Sequence, residues 1–433
     1  MAENVSRENT PQKKKTQPKK ESTFKLFFTA GVSRPKNDRQ VGVDAPMVVI
    51  ILVMLVFGII MMFSAGYAWA IAENLPGDYY FKRQCMMAGI GLVGMFGLSF
   101  LDYHFFQKQW VVTGAYFGAL ALMILCFVPG IATPHNGANR WITVGVEFQP
   151  SEIAKIALVL LFAYWISINY SRMKKFTVGI VPFVFALGVY ALVLSQQPHF
   201  SAIIIMCVIC FSLMLIGGVD MKYLIAAGIL AVMLIAAYML YKSVSGDLAY
   251  IEKRIHSFTD PFGSEYSDDT YQTRNSLIAI GSGGLFGLGL GNSRQKFLYL
   301  PESKNDFVFA IICEELGYIG AVMVIILFVL FVFRGFSIAV KAVDKSGMLI
   351  ACGITIQIGL QAFLNIAVVC NAIPNTGISL PFFSYGGTAL IMQLCEMGIL
   401  LNISRHTISE TNEVRKKRRR SHRQAPADAE VST

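Results

Sequence analysis

The feature that most limits the fold of this chain is its succession of long apolar stretches. The first, 46–66 (PMVVIILVMLVFGIIMMFSAG), carries no charged residue and is long enough, at 1.5 Å of rise per residue, to cross a hydrocarbon core of ~30 Å. Further stretches of this kind fall near 84–101, 110–129, 152–169, 177–196, 199–217, 223–242, 306–334, 347–370 and 385–403. Backbone amides in lipid must be paired inside their own segment. The expected class is therefore an all-α polytopic membrane protein with ten transmembrane helices. Only 15% of the 433 residues are charged and 55% are hydrophobic, against about 25% charged in an average soluble protein. That balance excludes an ordinary soluble enzyme, a disordered chain and a disulfide scaffold. The eight cysteines sit nearly all inside apolar runs, Cys207-x-x-Cys210 among them, and read as small packing groups.

A net charge of +10 needs a place in such a chain. Residues 1–45 form a polar tail with Lys13-Lys14-Lys15 and Lys19-Lys20, and 404–433 form a second one with Arg415 through Arg420. Most of the 37 Lys and Arg lie in these tails and in the even-numbered loops, so the positive-inside rule puts both termini in the cytoplasm. Ala68-Trp69-Ala70 imitates a cleavage site, but the apolar run before it is too long for a cleaved signal. The membrane domain then covers 46–403, with 243–305 as a large outer connection between the seventh and eighth helices. The arginine-rich run in the second tail suits anionic lipid or a cytosolic partner; nucleic acid is not expected.

The polar, Gly- and Pro-punctuated segments all fall in odd-numbered connections, on the outer face, where nucleotides are not available. Glu152 and Lys155 stand three residues apart at the start of the fourth helix and share a face. Such a pair either neutralises itself, lines a cavity or acts chemically. Ala279 to Gly291 is rich in glycine. No strand precedes it, so a dinucleotide fingerprint is rejected in favour of a close-packed or re-entrant segment over 277–290. Lys296 and Tyr299-Leu300-Pro301-Glu302-Ser303-Lys304-Asn305-Asp306 follow. Asp306 reads either as the N-cap of the next helix or as a partly desolvated general base. Glu314 and Glu315 lie ~12–14 Å deeper and should face a cavity or partner rather than lipid. Asn371 to Gly387 holds too much Pro and Gly for a continuous helix. Gln361, Asn365, Gln393 and Glu396, in the flanking helices, read as interhelical hydrogen bonders.

Taken together these strings resemble the SEDS family, that is FtsW, RodA and SpoVE. They are Arg140-Trp141…Gln149-Pro150-Ser151-Glu152-x-x-Lys155, Tyr271-Gln272…Ser276, Tyr299-Leu300-Pro301-Glu302…Asp306-Phe307, Glu314-Glu315-Leu316-Gly317 and Pro374-x-Thr376-Gly377…Leu380-Pro381-Phe382-x-Ser384-Tyr385-Gly386-Gly387. The resemblance covers about 45–408, and Leu401-Asn402-Ile403-Ser404-Arg405 stands nearer FtsW and SpoVE than RodA. It implies a multi-pass protein of the bacterial plasma membrane, at the division septum, that polymerises lipid II into glycan strands by an inverting transfer giving a β-1,4 link. It implies a class B penicillin-binding protein as partner, with other divisome or elongasome proteins. It also implies Asp306 as the catalytic residue, with Glu152 and Lys155 near the same cavity. Arg140, Trp141, Gln149, Ser151, Gln272, Ser276, Lys296, Pro301, Glu302, Ser384, Tyr385 and Gly386 are the remaining substrate-facing candidates. Lys155, Arg140, Lys296 or a divalent cation, magnesium or manganese, would offset the charge of the leaving pyrophosphate. Two positions depart from the family pattern: Lys304 replaces a histidine two residues before the aspartate, and Pro198-His199 replaces a Pro-Asp. A lipid II flippase and a division scaffold without chemistry are the competing readings.

Overall fold

The computed structural model describes residues 42–128, 130, 132–135, 138–144, 146–197, 199–229, 233, 257–263 and 268–406. Nearly all of the first tail, all but the first residues of the second, 243–256, 264–267 and most of 230–242 lie outside the described residues. In chain order the helices are α1 (Ala45–Ala72), α2 (Tyr79–Phe100), α3 (Gln109–Leu125), α4 (Pro150–Asn169), α5 (Val181–Gln196), α6 (Phe200–Ile216), α7 (Asp268–Ser282), α8 (Val308–Lys341), α9 (Lys345–Val369) and α10 (Gly387–Arg405). A further helical stretch covers 221–229. Among the described residues six helical segments are long and apolar enough to cross a membrane, and α3 and α6 are shorter apolar helices. The chain is a mostly helical, polytopic membrane protein.

The helix ends follow local chemistry. Asp44 caps α1 by accepting from Met47 N at 3.0 Å, with Pro46 in the first turn, and Asp344 caps α9 through Gly347 N at 3.2 Å. Both caps also tie helices together. Arg334 of α8 donates both arms to Asp44, at 2.8 and 2.6 Å, a fork geometry that fixes orientation as well as contact. Asp344 accepts from Gln107 at 3.0 Å and from the Tyr103 hydroxyl. Asn402 of α10 joins the same end of the bundle, accepting from Tyr103 N at 2.8 Å.

Helix packing relies on small residues, as it must where lipid supplies no hydrophobic drive between helices. On α2 and α10 a Cβ at Gly91 would stand 2.5 Å from Leu394, and one at Gly398 would stand 2.5 Å from the Met95 carbonyl. Nearly every residue of α4 is buried, its Glu152 and Lys155 included, so this helix runs through the middle of the bundle.

Two features were not in the all-α expectation. Residues 132–148 form a three-stranded antiparallel sheet, β1 (Ala132–His135), β2 (Ala138–Val144) and β3 (Val146–Phe148), in the order β1-β2-β3. His135 pairs with Ala138, and the sequence between them, Asn136-Gly137, is a strong short hairpin signal. The second is a break in α8. Gly317 has φ 69° and ψ −164°, and the carbonyls this frees are taken by the glycine loop: Leu288 N donates to Glu314 O and Gly289 N to Glu315 O, each at 3.0 Å. A Cβ on Gly287 would meet Glu315 O at 2.2 Å and one on Gly317 would meet Gly287 N at 2.3 Å. Gly283, Gly287 and Gly317 therefore allow backbone to pack directly on backbone where the loop meets α8.

Candidate active site

The last connection, 370–386, is irregular throughout, and its shape comes from side chains reaching out of the helices around it. Asn365 of α9 donates to Ile378 O at 2.6 Å. One turn earlier on the same helix, Gln361 donates to Ser379 O at 3.2 Å. Ser201 of α6 donates to Thr376 O, and Gln393 of α10 accepts from Phe382 N at 3.0 Å. Ser384 closes the segment on itself through Leu380 N at 2.7 Å, and its carbonyl accepts from Gln84 at 3.2 Å. Backbone polar groups without helix partners are thus paired one by one, as burial requires.

The same two α9 side chains bring the predicted residues together. Asn365 also donates to the backbone carbonyl of Asp306 at 2.7 Å. Gln361 also accepts from Lys155 Nζ at 2.9 Å, and Lys155 pairs with Glu152 at 2.9 Å. Side chains four apart on a helix are neighbours. The Asp306 backbone and the Glu152–Lys155 pair are thus anchored by two α9 side chains that stand one helical turn apart. The Asp306 carboxylate faces the irregular segment: a Cβ at Gly377 would lie 3.5 Å from its Oδ2. Asp306 is not an N-cap. The cap position of α8 is Phe307, and Asp306 sits half-buried in the loop before it.

Burial governs the electrostatics here. Lys155 is 2% exposed and Glu152 7%, so each charge depends on the other for stabilisation. His199 lies between α5 and α6. Its burial, with the Arg140 and Lys155 charges nearby, pushes its imidazole down to about 3, so it is neutral at physiological pH. Its Nδ1, Ser151 Oγ and Thr376 Oγ1 are buried without a hydrogen-bond partner, a costly condition unless another molecule supplies one.

The remaining predicted residues take several positions. Arg140 on β2 donates to Gln197 O at 3.0 Å, and Trp141 beside it is half-buried. Gln149 is the N-cap residue of α4 without a side-chain cap bond. Gln272 of α7 accepts from Asn375 at 3.0 Å and donates to Pro301 O at 3.4 Å, so it joins two strings distant in sequence. Ser276 donates to Val369 O at 2.8 Å. Glu302, at φ 55°, accepts from the Asn305 side chain at 2.5 Å. Tyr385 N donates to Lys304 O at 2.8 Å, and Gly386 is the cap residue of α10.

Lys296 belongs to a different cluster. Its ammonium meets Glu315 at 3.0 Å, Ser64 at 2.9 Å and Gly291 O at 2.5 Å. Glu314 accepts from Ser293 and from Arg294 N at 2.9 Å. These charges pin the glycine loop against broken α8 and α1. The expectation that Lys296 faces the substrate did not include its pairing with Glu315 of α8. The sequence reading also missed Trp69, Glu73 and Tyr80, which surround Lys304. Among the described residues no group of three His, Cys, Asp or Glu side chains converges.

Comparison with known proteins gives one consistent result. Residues 45–409 match the family of FtsW, RodA and SpoVE, described as cell cycle protein. A probable peptidoglycan glycosyltransferase FtsW of Geobacter sp. (strain M18) is 38% identical over 364 residues, 84% of this chain and 97% of the relative. Stage V sporulation protein E of Bacillus subtilis (strain 168) is 36% identical over 375 residues, with the same coverage of 84% and 97%. Among solved structures, a peptidoglycan synthase complex that coordinates polymerization and crosslinking aligns with TM-score 0.68 at 24% identity, over 86% of this chain and 100% of that one. Thermus thermophilus rod shape determining protein RodA aligns with TM-score 0.61 at 24% identity, over 86% of this chain and 99% of that one. The structural likenesses speak to the fold.

Proposed function

This chain belongs to the FtsW, RodA and SpoVE family of cell cycle proteins, and from that premise we propose that it polymerises lipid II at the outer face of the bacterial plasma membrane. It is a peptidoglycan glycosyltransferase, with its place in cell division. Ten crossings accommodate the chain: α1 to α6, a seventh beginning in the helical stretch 221–229, then α8, α9 and α10. Both termini are cytoplasmic, the septum is the site of action, and a class B penicillin-binding protein cross-links the strands as they form.

One observation carries the site assignment. The Asp306 backbone, held by Asn365 at 2.7 Å, and the buried Glu152–Lys155 pair, held by Gln361 at 2.9 Å, are anchored by two α9 side chains one helical turn apart. In the reaction the acceptor sugar's 4-hydroxyl oxygen forms the bond to the donor's anomeric carbon, and its proton passes to the Asp306 carboxylate. The bond from that carbon to the pyrophosphate oxygen breaks, and its electron pair leaves with the undecaprenyl pyrophosphate. Attack opposite the leaving group inverts the centre, so one base suffices, unlike the two carboxylates of a glycoside hydrolase. Lys155 and Arg140 are the cations nearest to offset the leaving charge. A magnesium or manganese ion would take ligands from Asp306 and the substrate's own phosphates, since such ions are commonly bound by one or two carboxylates plus phosphate oxygens.

Asp306→Asn keeps the side chain's shape and removes the base. The purified, folded variant should polymerise lipid II at least a hundredfold more slowly than wild type beside its cognate transpeptidase. Wild-type rates in that variant would refute the assignment. If lipid II crossed between vesicle leaflets in the variant while no strand formed, transport would be the better reading.

A further inference from the structure

We infer that Lys304 is a positioning residue, a latch that ties the loop carrying Asp306 to the α1–α2 turn. The inference rests on the reading of Asp306 as the general base. Lys304 is 9% exposed, and its ammonium donates to Glu73 Oε1 at 3.0 Å and to the Tyr80 hydroxyl at 2.6 Å. Its remaining faces are covered by aromatic rings: Tyr80, with its centroid at 3.9 Å, and Trp69 at 4.9 Å. Cation–π contact of this kind strengthens as the cation is desolvated.

Backbone and neighbour contacts extend the grip. Trp69 Nε1 donates to Ser303 Oγ at 2.8 Å, and Tyr385 N donates to Lys304 O at 2.8 Å. Tyr385 packs edge-on against Tyr80, centroids 4.9 Å apart, and the Tyr80 hydroxyl donates to Glu73. Residues 303 and 304 are thus held from the end of α1, the start of α2 and the segment before α10. Asp306 is two residues further on, within ~7 Å of chain, and its carbonyl is held from the other side by Asn365. The loop is clamped before and after the aspartate, and only the first clamp depends on a charge. Lys304 touches no substrate in this scheme. It acts through Asp306, where a misplacement of about 1 Å costs about a hundredfold in rate.

The test uses the full chain reconstituted in lipid bilayers with lipid II. Lys304→Met keeps the stem and removes the charge; Glu73→Gln removes the carboxylate from a partner that stands largely in the open. Both should lower kcat at least tenfold while KM changes less than threefold, and the double variant should be no slower than the slower single one. Lys304→Arg should recover part of the loss, because a guanidinium keeps the charge and reaches Glu73 but is too broad for the place a compact ammonium takes between Glu73 and the Tyr80 hydroxyl. Amide hydrogen exchange supplies a readout apart from activity. In Lys304→Met, peptides covering 297–307 and 384–386 should exchange faster, and those covering 283–296 should not. Wild-type kcat in Lys304→Met, equal losses in Lys304→Met and Lys304→Arg, or unchanged exchange over 297–307 would each overturn the latch. Full activity in Asp306→Asn would instead remove the role assigned to the aspartate, and the exchange result would still decide whether Lys304 holds its loop.

Discussion

Replacing Glu152 by Gln isolates what the buried pair on α4 contributes. In the native chain Lys155 Nζ has Glu152 at 2.9 Å and Gln361 at 2.9 Å, and its side chain is 2% exposed. The substitution leaves an ammonium in a water-poor interior with neutral acceptors only. Removing one partner of a buried ion pair costs about 3–5 kcal/mol, because the surviving charge keeps its desolvation penalty and loses its compensation. At 1.36 kcal/mol per decade, that lowers the folded population relative to the unfolded by roughly two to four orders of magnitude. Removing both charges, in Glu152→Gln with Lys155→Met, takes away the penalty along with the attraction and should return most of the stability. The assay is SDS-driven unfolding in bicelles followed by helical circular dichroism, run as a double-mutant cycle. A single variant within about 1 kcal/mol of wild type, or a double variant as unstable as the single, would refute the reasoning. The folded double variant also answers a chemical question. Full polymerase activity would make the pair a structural one; a folded, inactive protein would place it in the reaction.

Gly317→Ala should lose several kcal/mol and loosen the 283–291 loop, because its Cβ would stand 2.3 Å from Gly287 N at a φ of 69°. Gly188→Ala, in α5 with nothing within 4 Å, is the control and should change stability by no more than about 1 kcal/mol. A folded Gly317→Ala protein with native loop protection would count against the broken-helix account. Burial pulls the Glu73 carboxyl upward, but its hydrogen bonds with Tyr80 and Lys304 outweigh this and hold it below the ordinary 4.5. A folded-state pKa lowered in this way contributes stability above the ordinary value and loses it as the pH falls through the folded one. Acidification below 4.5 should therefore free the 297–307 loop in wild type, read by hydrogen exchange, and Glu73→Gln should lack that step.

Much of the architecture was legible because a bilayer accepts so few backbone solutions. Apolar length alone located α1, α4, α5, α8, α9 and α10, and basic loops supplied an orientation. The small sheet lay outside the expectation although Asn136-Gly137 is a hairpin signal, since strands of four, seven and three residues are far shorter than a membrane crossing. The motif strings named Asp306, with a capping role open to it, and the Glu152–Lys155 pair, with self-neutralisation open to it, and only the family resemblance set them near one cavity.

Local chemistry by itself determined where charge would be scarce, where helices had to stop, and which few ionisable groups would stand at the outer ends. Only the tertiary structure decided which of those groups share a site. Gln361 and Asn365 join Lys155 to Asp306 across more than 150 positions of chain. Glu315 draws Lys296 to the broken α8, while Glu314 holds the Arg294 amide beside it. Lys304, an apparent departure from a pattern, finds Trp69, Tyr80 and Glu73 more than 220 residues earlier. The reason is physical: a buried polar group must find a partner wherever the packing places one, and sequence spacing records only the partners on the same helix.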